Sequence, residues 1–288
     1  MYSNVLKHER QRYLWVALAL VLAAAGVYLT HAELPAPSGS TWQGYLLGSL
    51  GALLILLLIS LGIRKRSYRA TLGTVKGWVS AHVYLGVAAL VTVTLHTGFQ
   101  LGWNVHTLGY ALLWIVVVTG IYGLNAYLRY PATLADTRAG NPRANLFAEL
   151  HELNREGLKL AADCVPEVGE PVASSIRNTQ LGGGLIAQLW GADRSTYVAA
   201  TGTVANIDQQ PIIDDVSHRV PRTNRTDETA TLQSVITMLS RRQVLLRRIR
   251  MDIRYQGRMR LWLYLHVPCA VALVVAVLVH VLTVFLYW

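Results

Sequence analysis

The sequence predicts an all-α integral membrane protein: five transmembrane helices, four of them in a bundle, and a mainly helical soluble insertion. Composition is the first observation. Of 288 residues, 53% are hydrophobic and 15% charged, and the mean hydropathy is +0.35, high for a water-soluble chain of this size. Segregation is the second: five stretches are almost free of charge and long enough to cross a bilayer, which takes roughly 20 apolar residues. The third is a doubled spacing. His82 and His96 share one apolar stretch, His266 and His280 another, and each pair is 14 residues apart.

The spans are expected near 13–30, 45–63, 78–98, 107–127 and 260–287. The first resembles a signal peptide in length, but no small-residue cleavage site is evident and a second span follows closely, so it is expected to persist as a helix. The chain then divides into 1–127 with spans 1 to 4, a polar insertion at 128–259, and 260–288 with span 5.

Basic residues set the orientation. Lys7, Arg10 and Arg12 precede span 1, and Arg64, Lys65, Arg66, Arg69 and Lys76 lie between spans 2 and 3. Every other Lys or Arg falls between Arg129 and Arg260, and the loops 31–44 and 99–106 have none. The positive-inside rule therefore places the N-terminus and the insertion in the cytoplasm and the C-terminus outside. The expected location is a bacterial-type inner (plasma) membrane. The net charge of +10 is that of a cytoplasmic membrane rim facing the lipid bilayer, and no nucleic acid partner is expected. Only Cys164 and Cys269 are present, which excludes an iron–sulfur cluster, a covalently attached haem and a disulfide framework. Cys269, inside span 5, is read as a small packing residue.

In the insertion, Pro142 marks a helix start, and Leu146, Phe147, Leu150, Leu153 and Leu158 recur at helical spacing. Residues 164–185 are rich in Pro, Gly and Ser; the run Gly182–Gly184 lacks the Lys-Ser/Thr of a phosphate loop and reads as a turn. A short strand pair is expected within 196–216. Thr226 or Asp227 caps a long helix whose apolar positions Leu232, Val235, Ile236, Leu239, Leu246, Ile249 and Ile253 repeat regularly. The arginines 241, 242, 247, 248, 250, 254, 258 and 260 suit a solvated rim at lipid headgroups, or a docking surface for an acidic redox partner.

An α-helix advances about 100° and about 1.5 Å per residue, so fourteen residues bring a side chain back within about 40° of the same face and about 21 Å along the axis. Two such helices facing each other present two imidazole pairs, one near each membrane surface. Imidazole on both axial positions of a haem gives a six-coordinate iron with no open position, suited to one-electron transfer. Spans 3 and 5 run in the same direction, so His82 pairs with His266 at the inner haem and His96 with His280 at the outer haem. A lone intramembrane histidine more often makes a helix–helix hydrogen bond. Two pairs at one interval favour ligation. A metal or proton pathway would recruit carboxylates, and the five spans contain no Asp or Glu.

Glycines repeat the interval. Gly48 and Gly62 in span 2, and Gly109 and Gly123 in span 4, are also 14 apart. A porphyrin edge meeting a backbone needs that room. Gly51 and Gly120 read as ordinary close packing.

Glycine pairs on the first and third helices, with histidine pairs on the second and fourth, resemble the di-haem four-helix bundle of the cytochrome b family, the core of quinol:cytochrome c oxidoreductases. The resemblance covers spans 2–5, under half of the chain. It implies two haem b groups with His82, His96, His266 and His280 as axial ligands to iron, and Gly48, Gly62, Gly109 and Gly123 along the haem edges. It implies the electron-transfer subunit of a quinone-linked membrane oxidoreductase, respiratory or photosynthetic, whose partners are quinone and iron–sulfur, flavin or cytochrome subunits. Several features depart from the family. A span precedes the bundle, the orientation is inverted, the insertion replaces the family's quinol-oxidation connection, and the Pro-Glu-Trp-Tyr motif is absent. Val79 stands where the family has a basic residue.

Arg258 and Arg260, about two helical turns before His266, are candidates for binding inner-haem propionates, with Lys76 and Arg69 as alternatives; each serves equally as a topological anchor. For the outer haem the nearest polar residues are Trp103, Asn104 and His106, the last read as an exposed loop residue. Pro268 is placed to kink span 5. Trp114, Tyr122, Tyr264, Tyr287 and Trp288 read as packing and interface residues, and His8, His31, His151 and His218 as surface residues. The alternative to a cytochrome is a membrane anchor or scaffold recruiting a redox partner through the arginine-rich segment.

Overall fold

The protein's architecture comes from a computed structural model that describes residues 10–31, 37–66, 74–138, 143–190, 193–220 and 226–286. Lys7, His8, Arg69, Pro142, Tyr287 and Trp288 lie outside the described residues. Two compact units emerge, Met1–Leu128 with Leu261–Trp288, and Arg129–Arg260.

The first unit contains α1 (Arg12–Leu29), α2 (Trp42–Arg66), α3 (Val75–His96), most of α4 (Val105–Arg138) and the C-terminal part of α9 (Thr226–Leu286). All five helices have apolar stretches long enough to cross a membrane, and their outward faces carry Trp15, Leu22, Leu53, Val118, Val271 and Leu282 exposed. Bare to water, such faces would drive aggregation; against acyl chains they cost nothing. Five such helices suit a multi-pass membrane protein. Ile55 of α2, Leu90 of α3, Leu113 of α4 and Leu273 of α9 share one buried cluster, which makes these four a bundle. The extra helix α1 packs against α2 and α3 through Ala17, Leu54, Leu85, Ala88 and Ala89. Small residues at that crossing let the backbones approach, where close packing holds helices together in lipid.

Thr74 caps α3, its hydroxyl accepting from the Gly77 N–H at 3.1 Å. Asn104 does the same for α4, accepting from Thr107 N–H at 3.0 Å. Two helices overrun their expected spans. Helix α4 continues through Pro131 to Arg138, and α9 runs unbroken for 61 residues from Thr226, through Pro268, to Leu286. No Gly-Pro or Asn-Gly signal separates the insertion helix from span 5, and helix-favouring Arg, Met and Leu fill the junction. Pro268 is accommodated without ending the helix.

The second unit contains α5 (Arg143–Ala162), α6 (Pro166–Arg177), α7 (Leu185–Trp190), the hairpin β1 (Thr196–Ala199) and β2 (Gly202–Ala205), α8 (Gln210–Ser217) and the N-terminal part of α9. The strands are antiparallel with Thr196 opposite Ala205, and Gly202 supplies the left-handed φ of 119° at the turn. The stretch 164–185, rich in Pro, Gly and Ser, contains a full helix. Pro166 sits at its first turn, where a missing N–H costs little, and Val168, Val172 and Ile176 form a buried stripe. They meet Ile212, Val216, Leu232, Val235 and Leu239 in one core. In a second core Leu146, Leu150 and Leu153 of α5 meet Leu245, Leu246 and Ile249 of α9.

The arginine run of α9 is not one solvated rim. Arg242 is 1% exposed. Its guanidinium donates to Asn154 Oδ1 at 2.7 Å, Gln209 Oε1 at 2.5 Å and Thr179 Oγ1 at 2.9 Å. Burial, with Arg250 nearby, pulls its pKa down to about 10, still far enough above neutrality to leave a buried cation at physiological pH. Arg250 pairs with the buried Asp193 at 2.7 Å. Both arginines point inward because α9 turns those positions toward the 178–210 segment, a contact that helical periodicity alone does not reveal.

Candidate functional site

Each of the four span histidines is half-buried within the membrane unit. On α3, His96 is the last helical residue, and its Nδ1 lies 2.8 Å from the Gly44 carbonyl of α2. Fourteen residues earlier, His82 Nδ1 lies 3.1 Å from the Leu58 carbonyl, also on α2. Gly44 and Leu58 are themselves 14 apart, so one antiparallel helix pair repeats one contact. A carbonyl only accepts, so Nδ1 carries the proton in both rings and Nε2 presents its lone pair. This is the arrangement of a metal-ligating imidazole oriented from behind.

On α9, His266 Nδ1 lies 2.9 Å from Thr119 Oγ1 of α4. That hydroxyl is already committed as a donor to the carbonyls of Ile115 at 2.7 Å and Val116 at 3.0 Å. It therefore accepts from His266, leaving Nε2 again as the free lone pair. Across the other end, the rings of His96 and His280 have centroids 6.1 Å apart at 58°. Two imidazoles bound on opposite sides of one metal ion, with metal–nitrogen distances of about 2 Å, put their centroids roughly 6 Å apart. Among the described residues no group of three or more His, Cys, Asp or Glu side chains converges on a metal position. A porphyrin-held iron asks the protein for only two.

The glycines divide. Gly48 lies beneath His96: a Cβ there would stand 2.7 Å from the ring's Cε1. Gly62 opens onto space among the described residues, with no atom of theirs from elsewhere in the fold within 4 Å of where its Cβ would stand. Gly109 would make an ordinary contact, 3.9 Å to Ala276 Cβ. The room at Gly123 is filled by the Trp262 indole, which donates from Nε1 to the Thr119 carbonyl at 2.8 Å and lies against His266 with ring centroids 5.5 Å apart. Gly120 borders His266, its would-be Cβ 3.5 Å from the ring, while Gly51 makes room for Val93. Gly39 adds a second close approach over His96, at 3.2 Å.

Arg258 is half-buried and Arg260 exposed on α9; Lys76 is half-buried in the first turn of α3. Trp103 is fully exposed and Asn104 is occupied as the α4 cap. His106 is exposed as expected but belongs to the first turn of α4, and its ring rests on that of His280 with centroids 4.1 Å apart. His31 is more than a surface residue, bridging the Tyr28 carbonyl at 2.8 Å and Thr41 Oγ1 at 2.9 Å.

Sequence reasoning missed Thr119, Trp262 and the two accepting carbonyls. Thr119 had a signal, a hydroxyl in an apolar span beside Gly120. Carbonyls have none, because every residue carries one.

Comparison of the chain with protein-family models, curated proteins and solved structures finds no match.

Proposed function

We propose that the chain is a di-haem b-type cytochrome subunit that carries electrons across the membrane between the quinone pool and a partner redox protein. The observation that carries this is the repeated device on α2 and α3: two histidines 14 residues apart, each with Nδ1 tied to a carbonyl and Nε2 free. The 6.1 Å separation of His96 and His280 supports it, as does Gly48, whose missing side chain leaves His96 its place. His82 with His266 would hold the inner haem and His96 with His280 the outer. A haem iron held there would supply reversible one-electron transfer.

The chain's own residues do three things. The Gly44 and Leu58 carbonyls and the Thr119 hydroxyl select the tautomer and orientation of three rings. Leu90, Leu113 and Leu273 keep water from the bundle centre, so electrostatic interactions there are strong. Arg258 and Arg260, about two helical turns before His266 in sequence, are candidates to neutralise propionates of the inner haem, and the 128–259 segment would face the cytoplasm of a bacterial-type cell. Iron–sulfur, flavin or cytochrome subunits would exchange electrons with it.

The test is haem per polypeptide, by pyridine haemochromogen assay with a reduced-minus-oxidised spectrum. Two b haems are expected in the wild type and one in each of His82→Ala and His96→Ala. Wild-type protein without haem sinks the proposal. The second reading, an anchor that recruits a redox partner, would then be favoured by the exposed Arg241 and Arg247 of α9.

A further inference from the structure

The four histidines are not equivalently held. His82, His96 and His266 each have an Nδ1 partner, at 3.1, 2.8 and 2.9 Å. His280 Nδ1 is buried and has no hydrogen-bond partner among the described residues. A buried polar atom without a partner calls for an explanation. What His280 has, beside the His96 ring at 6.1 Å, is a closer ring: His106, edge-on at 63° with centroids 4.1 Å apart. The helices α4 and α9 run antiparallel, with Thr119 against His266. Thirteen residues back along α4 from Thr119, and fourteen onward along α9 from His266, the facing pair is His106 and His280.

We propose that His106 is the positioning residue of His280, doing at the outer haem what Thr119 does at the inner one. It does so by ring contact rather than by a hydroxyl or carbonyl. An aromatic face against a ring edge is an attractive and directional contact, and an N–H edge gains further from a π face. The contact fixes the rotation of the His280 ring about its metal-directed axis. It is also the one orienting contact of the four made by an exposed side chain. Both inner-haem histidines would therefore be set by part-buried groups, and one of the two outer-haem histidines by a group that a partner at the outer face can reach. This rests on the di-haem proposal.

The test uses the full chain with both haems, read by low-spin EPR and by redox titration, in the wild type, His106→Ala and His106→Phe. A His82→Ala background leaves the outer haem as the sole signal. In His106→Ala the outer haem is expected to show a shifted low-spin g pattern and a shifted midpoint potential, while the inner haem keeps both. His106→Phe retains an aromatic face and should restore the wild-type outer signal. Loss of the outer haem in the alanine variant alone, with the phenylalanine variant unaltered, also supports positioning by the ring. Two haems in His106→Ala with both signals unchanged overturn it, as does loss of the outer haem in both variants, which would make His106 itself a ligand. A wild type without haem fails the di-haem proposal instead.

Discussion

At the scale of single residues, what matters is which atom stands behind each imidazole. His266 donates to Thr119; Thr119→Val keeps the shape and removes the acceptor. Loss of such a supporting group typically weakens metal binding about 10–100-fold, so haem titration should show the inner site filling last or incompletely, with the outer site unchanged. Gly48 is a steric test at the other end. Its would-be Cβ stands 2.7 Å from the His96 ring, too close for any real contact. Gly48→Val is expected to lose the outer haem and retain the inner, seen as one haem per chain. Arg242 shows the same principle away from the proposed haem sites. It is a buried cation held by three neutral acceptors, so Arg242→Met strands Asn154, Thr179 and Gln209. Hydrogen bonds to charged groups contribute about 1.5–3 kcal/mol each, and the variant should open to protease within 129–260 at lower temperature than the wild type.

At the scale of elements, helix crossings depend on missing side chains. Gly169 of α6 lies against the Ala161 carbonyl at the end of α5, and a Cβ there would overlap it. Backbone cannot yield as a flexible side chain does. Gly169→Ala should therefore cost about 1–3 kcal/mol through forced separation of α5 and α6, measurable as a lower Tm. Most of this level was legible in the chain. Span periodicity and hydropathy located five apolar helices, and the 196–205 hairpin fell within its expected window. Helix α6 was not legible, because Pro166, Gly169 and Pro171 read as breakers. Pro166 is tolerated at the first turn, and Gly169 is there for a close approach that only the folded neighbour α5 explains. The unbroken α9 was also hidden, since apolar and arginine-rich halves look like separate elements when read by composition.

At the scale of the whole molecule, the positive-inside distribution predicts that the 128–259 segment faces the cytoplasm. Cys164 reports on this. Burial beside Asp163 and Glu228 pushes its thiol above the usual range, so less thiolate is present at neutral pH than for a free cysteine. An impermeant maleimide should label Cys164 in inside-out vesicles only, slowly near pH 7 and faster as the pH rises toward the thiol's raised pKa. Labelling in right-side-out vesicles would reverse the topology. Membrane class, the number of apolar helices and the 14-residue histidine interval follow from the sequence itself, because hydropathy and helical repeat are properties of a chain before it folds. The partners of the histidines followed from tertiary structure alone. Gly44 and Leu58 act through carbonyls that carry no sequence signal, Trp262 occupies the room at Gly123, and His106 meets His280 because two distant helices pack antiparallel. Periodicity states which face a residue is on; only packing decides what that face meets.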